Sequence, residues 1–301
     1  MRSIQKWLMA AALVAFVSPA CAALNVFATL PEWGALVEEL GGDKVKVYVA
    51  TNALQDAHHI EAKPSLIARA RGADLVVATG AELEIGWLPL VTQQAGNPAI
   101  QPGKPGYFEA AAYVTLLEKP TRLDRAEGDV HPGGNPHIQT DPRNIAKVAA
   151  PLAARLAELD PPNAAYYRDR YQAFIGRWNT ATVKWEKEAA PLKGAPVVVQ
   201  HKAFTYLEVW LGLKEIAALE PKPGVEPTTA HLAEVLTLLE RQPAKMVLCA
   251  AYQDRRPSEW IAERAKISAV VLPFTVGGDE QAKDLYGLFD DTIARLLKGA
   301  Q

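Results

Sequence analysis

Residues 163–190 read Asn-Ala-Ala-Tyr-Tyr-Arg-Asp-Arg-Tyr-Gln-Ala-Phe-Ile-Gly-Arg-Trp-Asn-Thr-Ala-Thr-Val-Lys-Trp-Glu-Lys-Glu-Ala-Ala. Tyr167, Tyr171, Phe174, Trp178 and Trp185 recur at spacings of four, three, four and seven. That pattern marks one face of a helix, and charged residues fill the other faces. A single helix of this length spans ~40 Å at ~1.5 Å per residue, enough to cross a whole domain. The aromatic stripe reads as packing, not as a ligand platform.

On both sides of this helix, short apolar runs alternate with helical patterns. Before it, residues 24–29, 44–49 and 73–78 read as strands, with helices over 33–40 and 64–71 between them. Pro64 suits a first helical turn, and Asp141-Pro142 supplies a cap and a first turn for another helix. After it, residues 196–200, 246–250 and 269–272 read as strands, with helices over 202–211, 228–240, 257–266 and 283–298. Such alternation implies parallel strands covered by helices on both faces. The expected fold is α/β: two Rossmann-like lobes, residues 23–160 and 191–301, joined by one long rigid helix across 161–190. A cleft lies between the lobes, and so rigid a connector limits hinge closure. Residues 96–106 are rich in Pro and Gly and read as loop. Residues 121–135 carry Asp124, Glu127, Asp129 and His131 and are expected to form a mobile loop.

Three of the six histidines fall in strand-to-helix connections. His58 lies in Gln-Asp-Ala-His-His-Ile-Glu-Ala-Lys-Pro-Ser (55–65). His137 lies in Gly-Asn-Pro-His-Ile-Gln-Thr-Asp-Pro (134–142), and His201 in Val-Val-Val-Gln-His-Lys-Ala-Phe (197–204). Open parallel sheets collect ligands beyond the carboxyl ends of their strands. Neutral imidazole is the commonest metal ligand, and three imidazoles with one carboxylate make a tetrahedral zinc shell. The fourth donor is expected after the strand at 269–272. There Val-Gly-Gly-Asp-Glu-Gln (276–281) offers Asp279, with Glu280 as its competitor. Nitrogen-rich ligation favours Zn2+, whereas manganese and magnesium prefer oxygen.

The spacings match no short zinc motif, and a lone loop histidine is usually a surface residue. His59 reads as such a residue, although it could exchange with His58. His231 reads as surface, and His131 as an accessory metal position. A rival chemistry is a zinc hydrolase or lyase, with three histidines and a water as an open catalytic site. Against it, there is no His-Glu-x-x-His helix, and Glu61 is the only nearby candidate for a base.

The first residues read as an export leader. Arg2 and Lys6 precede a short apolar run over 7–17, and Ala20-Cys21-Ala22 fits a small-x-small cleavage site after Ala22. The run is too short to span a bilayer, which takes ~20 residues. Cleavage places the protein in the periplasm and leaves Cys249 alone, so no internal disulfide forms and stability rests on the core. Cys249 follows an apolar strand and reads as a core thiol. The full chain of 301 residues carries a net charge of −2, and losing Arg2 and Lys6 makes it more acidic still. That balance gives no footprint for nucleic acid.

These motifs resemble those of the metal-binding solute receptors of bacterial ABC importers, the cluster A-I family. The likeness covers essentially the whole mature chain. It rests on Asp56–Ser65, on Asn135–Pro142, on His201-Lys-Ala-Phe-Thr-Tyr206, and on the turn Gly224-Val-Glu-Pro-Thr228. The resemblance implies His58, His137 and His201 as ligands. A histidine in the third position looks like the zinc branch of the family, since the manganese branch usually has glutamate there. Residues 128–135 resemble a short form of the loop found in zinc receptors. The implied function is a periplasmic receptor, not an enzyme, that captures Zn2+ and delivers it to a membrane permease. A manganese receptor or adhesin of the same family is the alternative. A zinc chaperone is a further implied partner, and a monomer the implied state. Three positions depart from the family pattern. Ala57 stands where proline is usual, which is expected to loosen the His58 loop. Gln139-Thr140 replaces the common Trp-Leu, and the last acidic segment is shortened.

Overall fold

A computed structural model describes residues 22–120 and 128–301. Residues 1–21 of the expected leader, together with Asp124 and Glu127, lie outside the described residues. The first sheet contains β1 (Leu24–Ala28), β2 (Val45–Val49), β3 (Leu75–Ala78) and β4 (Tyr107–Glu109), with α1 (Pro31–Gly41), α2 (Pro64–Arg71) and α3 (Leu88–Ala95) between strands. Then come α4 (Pro142–Leu159) and the long α5 (Ala164–Glu188). The second sheet contains β5 (Pro196–Val199), β6 (Lys214–Ala218), β7 (Met246–Ala250) and β8 (Ser268–Leu272). It is interleaved with α6 (Thr205–Leu211), α7 (Thr229–Arg241) and α8 (Arg256–Ala265), and α9 (Leu285–Gly299) closes the chain. The strand orders are β2-β1-β3-β4 and β6-β5-β7-β8, and every paired neighbour is parallel.

The expected α/β architecture is what the chain adopts: two parallel sheets with helices, joined through one long helix. Successive strand residues face opposite sides of the sheet. Phe27, Val76 and Ala78 therefore pack under α2 and α3, whereas Val26, Ala28, Leu75 and Val77 face inward. The second sheet repeats the scheme. Val198 and Val247 pack beneath α7 and α8, while Val197, Val199, Met246 and Leu248 face inward. The two inward faces share one continuous apolar core with α1, α4, α5, α6 and α9. Tyr167, Phe174, Trp178 and Trp185 of α5 are buried in that core, as the aromatic stripe implied. Gly34 allows α1 to lie close on β2, since a Cβ there would come within 2.6 Å of Val49.

β4, β6 and α3 were not anticipated. β4 has three residues and β6 begins Lys-Glu, and both are edge strands with no apolar run to announce them. Cys249 is buried in β7, and burial pushes its thiol up to about 11, in keeping with a core residue. Among the described residues, no helix is long and apolar enough to cross a membrane.

Candidate metal centre

All strands being parallel, their carboxyl ends point to the same side of each sheet. His58 sits between β2 and α2, His137 just before α4, and His201 straight after β5. The fold brings these three together: one ring nitrogen from each lies within 4.8 Å of the others. Among the described residues, no other group of three or more His, Cys, Asp or Glu side chains converges in this way.

Each histidine is set by a local device. Asp56 Oδ1 accepts from the His58 backbone N–H at 2.9 Å and pairs with His58 Nδ1 at 2.7 Å. The Trp87 indole donates to Ala57 O at 2.9 Å, which anchors the loop where proline is missing. Asn135 does for His137 what Asp56 does for His58. Its Oδ1 accepts from the His137 N–H at 2.9 Å, while its amide donates to Lys202 O at 2.7 Å and to Glu118 and Thr205. The Asn-Pro-His motif thus ties the His137 turn to the His201 turn of the other lobe. Gly134 makes the approach possible: its φ is +118°, and a Cβ there would lie 2.5 Å from Leu117 O. His201 Nδ1 pairs with Glu220 at 2.7 Å, and Gly224 N–H donates to the same carboxylate oxygen at 2.8 Å. The Gly224 turn therefore steadies the carboxylate behind His201.

With Nδ1 of His58 and of His201 engaged by carboxylates, both Nε2 atoms are free for the centre. His58 Nε2 is buried and has no hydrogen-bond partner. His137 Nε2 lies 3.3 Å from His201 Nε2. That matches the edge of a tetrahedron with Zn–N bonds of about 2.0–2.1 Å, roughly 3.3–3.4 Å. Burial, reinforced by the neighbouring His58, His201 and His131, holds His137 well below the usual imidazole range. It is therefore neutral at pH 7, the form that binds metal. Burial of Asp56 opposes its ionisation, but hydrogen bonding and charge from His58 bring it down to about 2.

Asp279 is not among the side chains whose donor atoms lie within 4.8 Å of one another. Its Oδ1 caps a turn, accepting from Gln281 N–H at 2.8 Å and Ala282 N–H at 3.0 Å, and Arg295 of α9 binds its Oδ2. Glu280 is exposed. The chain turns sharply after β8 at Phe274, whose φ is +68°, and presents that ring to His137 at 5.6 Å between centroids. The glycine turn that suggested flexibility is instead a capped one, directed at α9. His131, read as an accessory position, lies beside the cluster, its ring 5.3 Å from that of His58. Burial and the charge of His58 bring it down to about 4, against the opposing pull of Asp129. His59 is exposed, and its nearest carboxylate is Asp129 at 3.8 Å. Glu61 is exposed as well. Glu220 and Glu32 carried no motif and were missed.

The site opens to a pocket of about 510 Å³ lined by Asp129, His131, His137 and His201. Behind it, Glu118 and Glu215 grip Lys202 at 3.1 and 3.3 Å. Glu208 of α6 is buried beside them, and burial followed by repulsion from Glu215 and Glu118 pushes it up to about 8. A carboxyl with a raised folded pKa stabilises fully below its unfolded value, about 4.5, and loses that contribution as pH rises through about 8. Glu208→Gln should therefore gain stability over the wild type between pH 5 and pH 9, by ~2 kcal/mol after allowance for solvent screening. Thermal unfolding of both proteins across that range measures it. A constant difference would show that Glu208 ionises normally.

The model of the family described as zinc-uptake complex component A, periplasmic, matches residues 26–299. The high-affinity zinc uptake system protein ZnuA of Bacillus subtilis is 22% identical over 265 residues, covering 87% of this chain and 81% of its own length. A solved structure titled as the crystal structure of ZnuA superposes with a TM-score of 0.77 at 23% identity, covering 93% of this chain and all of that one. The Pseudomonas aeruginosa protein FpvC, solved in complex with Mn2+, superposes at 0.74 with 23% identity, covering 91% of this chain and 99% of that one. A family match over residues 26–299 leaves no room for the hydrolase reading. The chain belongs to the ZnuA family, extracytoplasmic metal-binding solute receptors that partner with the permease of an ABC importer and are not enzymes.

Proposed function

We propose that this receptor captures Zn2+ in the interlobe cleft with His58, His137 and His201 and hands it to its importer's membrane permease from the periplasm, after a leader is cut at Ala22. The observation that carries this reading is the convergence of three ring nitrogens within 4.8 Å of one another. An all-imidazole donor set with two carboxylates behind it suits zinc, and oxygen donors that would suit manganese are absent from the described cluster. The fourth position faces the pocket, where a solvent molecule or His131 completes the shell. Asp279 is not assigned to it, because Arg295 holds that carboxylate. Neutral ligands make capture fall with acid, since protons compete for the same lone pairs.

Competition titration of the mature protein with Zn2+ and Mn2+ tests the choice of metal. Zinc is expected to bind at least ~100-fold tighter, following the affinity order of nitrogen sites. Equal or tighter binding of manganese would overturn the zinc reading in favour of the family's manganese branch.

A further inference from the structure

Two of the three imidazoles have a carboxylate directly behind them, Asp56 for His58 and Glu220 for His201. His137 is the exception. Its Nδ1 is buried and meets no hydrogen-bond partner. The same is true of Glu32 Oε1 and Gln139 Oε1. A buried polar atom left unpaired costs ~1–3 kcal/mol, so three around one site call for an explanation.

All three residues line a single small cavity of about 10 Å³, beside Phe274 and Thr275. That volume suits about one water, and a buried water typically makes about three hydrogen bonds. Donors and acceptors balance with one molecule. His137 Nδ1–H would donate to the water oxygen, and the two water hydrogens would go to Glu32 Oε1 and Gln139 Oε1.

We propose that Glu32 is a positioning residue for His137, orienting its imidazole through one buried water shared with Gln139. The proposal rests on the reading of His137 as a metal ligand, and it gives the third imidazole the carboxylate support that the other two have directly. Glu32 is fully buried on α1, and its other oxygen accepts from the Thr275 hydroxyl, on the segment that follows β8. One carboxyl group thus joins the first lobe, the His137 ring and the second lobe. The orientation of His137 depends on how the segment after β8 is seated, although that segment supplies no ligand itself.

The test compares Glu32→Ala, Glu32→Gln and Gln139→Leu with the wild type and His137→Ala. Zn2+ affinity is measured by chelator competition, and ligand geometry by the visible spectrum of the Co2+-loaded protein. Glu32→Ala should weaken zinc binding about 10–100-fold, as loss of a supporting partner does, and should shift the cobalt bands. Glu32→Gln keeps an acceptor oxygen and should stay within about threefold with an unshifted spectrum, a rescue that a purely charge-based role would not produce. Gln139→Leu removes the second acceptor without touching α1, and covers the case in which Glu32→Ala does not fold. It should weaken binding in the same direction. Wild-type affinity and spectra in Glu32→Ala or Gln139→Leu would overturn the proposal, as would equal loss in Glu32→Gln and Glu32→Ala. A high-resolution zinc-bound structure with Glu32 directly on His137, and no water between them, would also overturn it. If His137→Ala binds zinc like the wild type, it is the ligand reading that fails. If only His137→Ala loses zinc, the failure belongs to Glu32 alone.

Discussion

Replacing His137 with alanine is expected to abolish tight zinc capture while leaving the metal-free protein folded. His137 is the central ring of the cluster, 5.3 Å from His58 and 5.4 Å from His201 between centroids. Without it, two imidazoles cannot enclose the ion, and affinity should fall by at least ~1,000-fold, the scale of one lost zinc ligand with its share of pre-organisation. Binding to the folded state alone stabilises the wild type by about 4 kcal/mol at a thousandfold excess over the dissociation constant. Thermal unfolding with and without Zn2+ should show that gain vanish in the variant. His58→Ala and His201→Ala should each lose most of it too, whereas Asp279→Ala should keep it. Full zinc-induced stabilisation in all three histidine variants would refute the ligand assignment.

The same variant carries a pH signature. His137 has a folded pKa below its unfolded value, which is about 6.5. The unfolded chain therefore binds the extra proton first, and stability of the metal-free wild type drops as pH falls below about 6.5. His137→Ala lacks that proton linkage, so its stability relative to the wild type should rise between pH 7.5 and pH 5. If the difference stays flat, His137 is not held neutral by its surroundings.

Much of this was readable in the linear chain because the relevant signals are local. A five-residue apolar strand, a capped turn or Asn-Pro-His can each be recognised from neighbours in sequence. What escaped has its cause elsewhere in the fold. Glu220 and Glu32 act on rings supplied by other segments, 19 residues away for Glu220 and His201. A single glutamate in a helix or after an edge strand looks like any solvated charge. The surroundings of Asp279 were hidden for the complementary reason. Its glycines suggested a flexible turn, whereas Arg295 of α9 takes its carboxylate, and nothing near residue 279 announces that partner. The Asn135 side chain shows the same limit, since its motif was recognised but its bonds to Lys202 and Thr205 appear only once the lobes meet.

Trp178→Ala is expected to be the most destabilising single change in the connecting helix. Trp178 is fully buried where α5, α4 and α9 meet. It stacks on Phe174 at 5.3 Å and meets Trp185, Tyr286 and Phe289 edge-on at 5.2, 5.1 and 5.6 Å. Its indole N–H donates to Pro142 O at 2.8 Å. Truncation removes the ring, leaves a cavity that a rigid helix cannot close, and strips a partner from a buried carbonyl. Large aromatic-to-alanine changes in such places cost ~3–5 kcal/mol, or about 5–8 °C in Tm for a chain of this size. Trp178→Phe should recover the greater part by filling the space, leaving only the hydrogen bond unmade. Pro142 opens α4, and α4 follows directly on the His137 turn. The loss should therefore reach the metal centre: zinc affinity of the folded variant should drop several-fold, in contrast to a core truncation beneath α7 such as Val235→Ala. A stability loss under ~1 kcal/mol would mean that the core shared by the two lobes repacks freely around α5, and that the long helix does not hold the histidine turns in register.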